Sequence, residues 1–131
     1  YQEKLEILNT DYASNVYEKL SKLFTRSYPL IDFSANLDEQ VGKSTSTTKF
    51  DKNSLNIMED NLDNAKIKIR AFNVLGPAFT YFNNKVLKIH SYTEEANSEG
   101  IIFNEGVLYP EYVTPEGKKQ MLFPDYIRGI K

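Results

Sequence analysis

The sequence contains no cysteine and no tryptophan, and its only histidine is His90. Without thiols there are no disulfides, thiolate nucleophiles, iron–sulfur clusters or cysteine-ligated zinc. One imidazole has no companion for a histidine metal site, and a Ser-His-Asp arrangement would depend on it alone. On an alternating segment beside Lys88, His90 is expected to be a surface or half-buried strand residue. Neither G-x-x-x-x-G-K-[ST] nor G-x-G-x-x-G occurs, so phosphate-cradling loops are missing. No run approaches the roughly 18–20 apolar residues needed to span a bilayer, and no signal peptide is visible. Basic excess is lacking too. Sixteen Lys and Arg against eighteen Asp and Glu give a net charge of −2, which argues against a dedicated nucleic-acid binder.

What is present is ordinary globular usage: 131 residues, 40% hydrophobic and 26% charged. That length suits a single domain over residues 1–131, able to build a core without staples. Nine Tyr and eight Phe supply the bulky groups that Trp does not. The chain begins at Tyr1, not Met, as expected of a processed product or a piece of a longer chain with flanking segments.

The first half, residues 1–65, reads as helical. Leu5, Leu8, Tyr12, Val16, Leu20, Leu23 and Phe24 recur at steps of three and four with Ile7 and Tyr17 beside them. Charged residues fill the gaps, so the pattern predicts one amphipathic helix over residues 2–25. Pro29 ends it. Residues 29–33 suit a short strand, and 34–52 a long polar loop holding Lys43-Ser44-Thr45-Ser46-Thr47-Thr48-Lys49, with room for a strand within 45–50. Asn53 or Ser54 is expected to cap a second helix to about residue 64, with Leu55, Met58 and Leu62 on one face.

After residue 65 the period becomes two. Lys66-Ile67-Lys68-Ile69-Arg70-Ala71-Phe72 reads as a strand with Lys66, Lys68 and Arg70 on one side. Gly76-Pro77 marks a turn, and Asn83-Asn84 suits a tight hairpin between strands 79–82 and 85–92. Further strands are expected at 101–103, 107–113 and 118–123, separated by Asn104-Glu105-Gly106 and Thr114-Pro115-Glu116-Gly117. The expected architecture is α+β: a long N-terminal helix and a shorter one packed on an antiparallel sheet of about five strands in residues 66–131.

Candidate chemistry is sparse. Glu105 with Glu111, and Glu94-Glu95, lie near strand ends or in a loop, where acids serve solubility. Glu59-Asp60-Asn61-Leu62-Asp63-Asn64 is oxygen-rich but lacks the glycine of a calcium loop and sits on an expected helix. With no nucleophile–base pair and no metal set, the chain is expected to be non-enzymatic and to need no cofactor or metal. Lys66, Lys68 and Arg70 beside Lys88 and His90 would form a positive patch if their strands pair. The aromatic groups Phe72, Phe79, Tyr81, Phe82, Tyr92, Tyr109 and Tyr112 suit the core, or a pocket if the sheet curves around a cavity. The expected pocket lining is Arg70, Tyr81, Tyr92, Tyr109 and Tyr112, with Arg70 gripping a carboxylate bidentately.

The order of parts, a long helix, loop, shorter helix and antiparallel sheet, resembles the PAS-like (Cache-type) sensor domains. Residues 109–118, Tyr-Pro-Glu-Tyr-Val-Thr-Pro-Glu-Gly-Lys, resemble an aromatic-containing hairpin of their later strands. The resemblance implies an extracytoplasmic, periplasmic or extracellular, ligand-binding domain of a membrane-anchored receptor. Its partners would be a small molecule or protein, with membrane attachment through flanking segments and a homodimer contact through the N-terminal helix. The alternative is a structural or assembly module, such as a phage virion component, secretion-machine subunit or surface lipoprotein, that binds a protein partner.

Overall fold

The computed structural model describes residues 3–34 and 51–130. The strand expected within 45–50 and the polar run 43–49 lie outside them. In chain order the elements are α1 (Ala13–Ser27), α2 (Leu62–Phe72), β1 (Ala78–Phe82), β2 (Lys85–Ile89), β3 (Tyr92–Thr93), β4 (Ile101–Phe103), β5 (Gly106–Pro110), β6 (Tyr112–Pro115), β7 (Met121–Leu122) and α3 (Phe123–Gly129). Two antiparallel sheets, ordered β1-β2-β6-β7 and β3-β5-β4, make this an α+β fold.

The turns form where their chemistry demands. Asn83 and Asn84 adopt φ of 51° and 61°, the conformation that a two-residue hairpin requires and that asparagine tolerates. They pair β1 with β2 from Phe82 opposite Lys85 to Ala78 opposite Ile89. The two sheets share one continuous ladder. Ile89 faces Val113, the His90 N–H donates to Tyr112 O, the Glu111 N–H donates to Ser91 O, and Tyr92 faces Pro110. No residue is inserted at the bend, yet the buried side changes. Leu87, Ile89 and Val113 are buried in one half, Leu108 and Pro110 in the other. The bend divides the strands expected at 85–92 and 107–113, so the described residues hold seven strands in place of about five.

The core joins α2 (Ala65, Ile69), the sheets (Ala78, Leu87, Ile89, Leu108, Val113) and α3 (Phe123, Tyr126, Ile127). The strand expected at 118–123 shrinks to Met121–Leu122 and passes directly into α3. Pro124 lies in the first turn of α3, where its missing N–H costs nothing. The Phe123 ring meets Phe82 edge-on at 5.6 Å.

Four local expectations are corrected. The N-terminal helix starts at Ala13, not residue 2. Asn9, Thr10 and Asp11 have side chains that compete for backbone groups, and the Asp11 carboxylate accepts the Leu8 N–H at 2.9 Å. Residues before this turn run back along α1: Lys19 Nζ donates to Glu6 O at 3.3 Å, and Arg26 pairs with Glu3. Residues 29–33 are not a strand, since Tyr28–Leu30 forms a single 3-10 turn. The helix expected over 53–64 is instead a 3-10 turn, Lys52–Leu55, followed by Ile57, whose N–H donates to Phe79 O at 2.9 Å. Met58 is exposed and does not share a face with Leu55.

The fourth correction matters most for function: residues 66–72 are helical. The Asn61 side chain accepts the Asn64 N–H at 2.8 Å, capping a helix whose first turn holds Asp63, favourably placed at the positive end of the dipole. Ala65 and Ile69, four apart, are fully buried, while Ile67 is 51% exposed. A strand would have buried Ile67 and Ile69 together.

Candidate ligand groove

The helical state of residues 66–72 dissolves the expected positive strand face. Lys68 turns to Asp60, at 2.7 Å. Lys66 and Arg70, one turn apart, both reach Tyr92 on β3. Lys66 Nζ lies 5.3 Å from the Tyr92 ring centre and pairs with Glu94 at 2.6 Å. The Arg70 guanidinium lies 6.0 Å from the same ring centre, and its Nη1 donates to the Tyr92 hydroxyl. The Tyr92 N–H in turn donates to the Tyr12 hydroxyl at 3.2 Å, with the two rings 6.2 Å apart. Burial first of all raises the Tyr12 phenol above its ordinary range, so it stays neutral and serves as a hydrogen-bonding group.

Beside this cluster runs a groove of about 470 Å³, within the range of small-ligand sites. The back-running N-terminal segment supplies Ile7 and Leu8, α1 supplies Val16 and Tyr17, and α2 supplies Ile67 and Arg70. The walls are apolar, with two charges. Asp11 is neutralised by Lys19 at 2.5 Å, and that bond, with the Leu8 N–H, holds its carboxyl below the usual carboxylate range. Arg70 is different. Arg26 and Arg128 each hold a carboxylate, Glu3 and Asp125, whereas Arg70 makes no ion pair among the described residues. Its orientation is fixed by Tyr92, and further guanidinium N–H groups remain for an incoming acceptor.

Of the five expected lining residues, the structure joins Arg70 and Tyr92. Tyr109, half-buried, faces the other side of the small sheet: it pairs with Thr93, while Tyr92 pairs with Pro110. Tyr81 and Tyr112 are exposed on the outer face of the four-stranded sheet. They stand at opposite ends of that face, since Tyr81 is opposite Val86, whose carbonyl accepts from Glu116, four residues beyond Tyr112. Those four residues span about 13 Å along the strand. The pocket expected from all five therefore does not assemble. The groove instead uses Ile7, Leu8 and Val16, which the sequence pattern had placed in one helix stripe, and Asp11, which it had placed among the charged residues between them. The turn chemistry of Asn9-Thr10-Asp11 was the available signal.

His90 sits at the sheet bend with Nε2 2.8 Å from Thr114 Oγ1. Among the described residues no group of three His, Asp or Glu is placed to hold a metal ion, and no helix is long and apolar enough to cross a membrane. No protein family and no curated protein matches this sequence.

Proposed function

We propose that this domain is a non-enzymatic binding module whose groove takes a small molecule with an apolar body and a carboxylate. One observation carries the reading: Arg70, held by Tyr92 and without a carboxylate of its own among the described residues, lines a largely apolar groove whose other charge, Asp11, is taken by Lys19. A guanidinium fork matches a carboxylate bidentately, and apolar walls strengthen that contact by excluding water. The groove is bounded on one side by the N-terminal segment and α1 and on the other by α2, so an occupant would tie α1 to the core. Such a link between ligand and the flanking chain is what an extracytoplasmic sensor domain of a membrane-anchored receptor needs, and that is the setting we favour.

The test uses phenylacetate and octanoate, each beside its amide, in calorimetric titrations. The acids should bind and their amides should bind at least tenfold more weakly. Arg70→Ala should remove the difference while leaving the circular dichroism unchanged, because hydrogen bonds to a charged group contribute about 1.5–3 kcal/mol. Equal binding of acid and amide would reject Arg70 as the reader of the ligand.

The free edge of β4 favours a second reading, an assembly module. Ile102 is 83% exposed there, and among the described residues the order β3-β5-β4 leaves that edge open to an added strand. Ile102→Pro would then abolish partner binding without touching the groove.

A further inference from the structure

Helix α1 is amphipathic, but the fold covers only part of its apolar stripe. Val16, Leu23 and Ser27 face the molecule, whereas Tyr17 (54% exposed), Leu20, Phe24 (63%) and Tyr28 stand bare on the adjacent arc. The Tyr28 ring carries the surface onward. It lies 5.4 Å from Phe24 and 5.7 Å from Phe33, which is itself 73% exposed. Monomeric proteins rarely leave a continuous aromatic band of this kind in water.

We infer that this face of α1 pairs with the same face of a second copy of the chain, about a two-fold axis across the helix. Three features select a second copy. The first is charge: Glu18, Lys22 and Arg26 repeat every four residues on the opposite side of the helix, so self-pairing sets no like charges against each other. The second is shape. The bare residues follow the order Tyr17, Leu20, Phe24, Tyr28, with a tyrosine at each end, so an antiparallel copy brings Leu20 against Phe24 and each tyrosine against the other. The third is area. At about 200 Å² for a whole aromatic side chain, Tyr17, Phe24, Tyr28 and Phe33 with Leu20 expose roughly 550 Å² per copy. Complete coverage of that area on both copies removes roughly 1,100 Å², close to the ~1,000 Å² that a specific interface must clear. An interface of that size gives a dimer that forms and dissociates with concentration. Tyr17 borders the groove as well, so the pairing is read at Phe24, which lies outside it.

Sedimentation velocity of the intact chain, over concentrations on the order of 1 to 200 µM, is the test. The mean mass should climb from one chain of 15.1 kDa towards two and stop there. Phe24→Glu should remain at one chain throughout, with an unchanged circular dichroism spectrum, because Phe24 contributes nothing to the buried core. Lys22→Gln, on the opposite side of the helix, should associate as the wild type does. A wild type that stays at one chain at the highest concentration would overturn the inference. So would a Phe24→Glu chain that still dimerises, or a mass that grows without limit.

Discussion

The sharpest test of the fold lies in two isoleucines two residues apart. In a strand, Ile67 and Ile69 would share a face and contribute alike. In helix α2 they diverge: Ile69 is fully buried beside Ala65, while Ile67 is half exposed at the groove. Ile69→Ala removes buried methyl and methylene groups and leaves a cavity, which costs about 2–5 kcal/mol. Ile67→Ala loses only partial burial and opens no cavity, so about 1 kcal/mol or less is expected. Urea unfolding followed by far-ultraviolet circular dichroism would separate them. With a common slope, the midpoint for Ile69→Ala should fall several times further than that for Ile67→Ala. Losses equal to within about 0.5 kcal/mol would refute the helical packing of this segment, since that is near the limit for resolving independent surface changes. Ile67→Ala should instead weaken binding of an apolar carboxylate, because its side chain lines the groove.

Two further predictions rest on other elements. Gly100 has φ of +69°, and a Cβ there would lie 2.3 Å from Val107 Cγ1 and 2.8 Å from Leu108 O, so Gly100→Ala should cost about 2–4 kcal/mol. Gly117 has a similar φ with open space around it, so Gly117→Ala should cost only about 1 kcal/mol in the same thermal or urea unfolding experiment. Burial, and then the charge of Lys88, hold the His90 imidazole below its ordinary value. The folded state therefore favours neutral His90. That contribution is whole above the unfolded value of about 6.5 and drains as pH falls from there through the lower folded value. His90→Gln should flatten this part of a stability-versus-pH curve, and an unchanged curve would show that His90 is not responsible.

Much of the sheet was legible because turns are written in local chemistry. Asn83-Asn84, Asn104-Glu105-Gly106 and the Pro115-Glu116-Gly117 turn each fix a hairpin through residues that tolerate or require unusual φ. The helices were less legible. Lys-Ile-Lys-Ile-Arg alternates as a strand does, but burial of only Ala65 and Ile69 suffices to seat a helix, and the deciding signal was the Asn61 cap just before it. α3 is only seven residues long, too short for a periodic pattern to show. Arg70 and Tyr92 were expected to line one pocket from strands, yet Arg70 reaches the Tyr92 hydroxyl on β3 from helix α2.

The turn at Asn9-Thr10-Asp11 has the widest consequence. Had residues 5–24 formed one helix, Leu8 and Val16 would lie on one side of it with Ile7 turned away, and no back-running segment would face α2 across a groove. Because Asp11 binds the Leu8 N–H and Lys19, the chain folds back along α1. Ile7 and Leu8 then meet α2 across the groove that Arg70 enters, while Tyr17, Leu20 and Phe24 are left along the helix they began on. One turn thus divides a single stripe into two surfaces: a concave one suited to a small carboxylate and a convex one suited to a second copy. Asp11 sits where they join. Loss of its carboxylate would release the back-running segment, widening the groove but leaving the exposed face of α1 as it is. The two surfaces therefore share an origin in the sequence and meet at Tyr17, while Arg70 belongs to the groove alone and Phe24 to the exposed face alone.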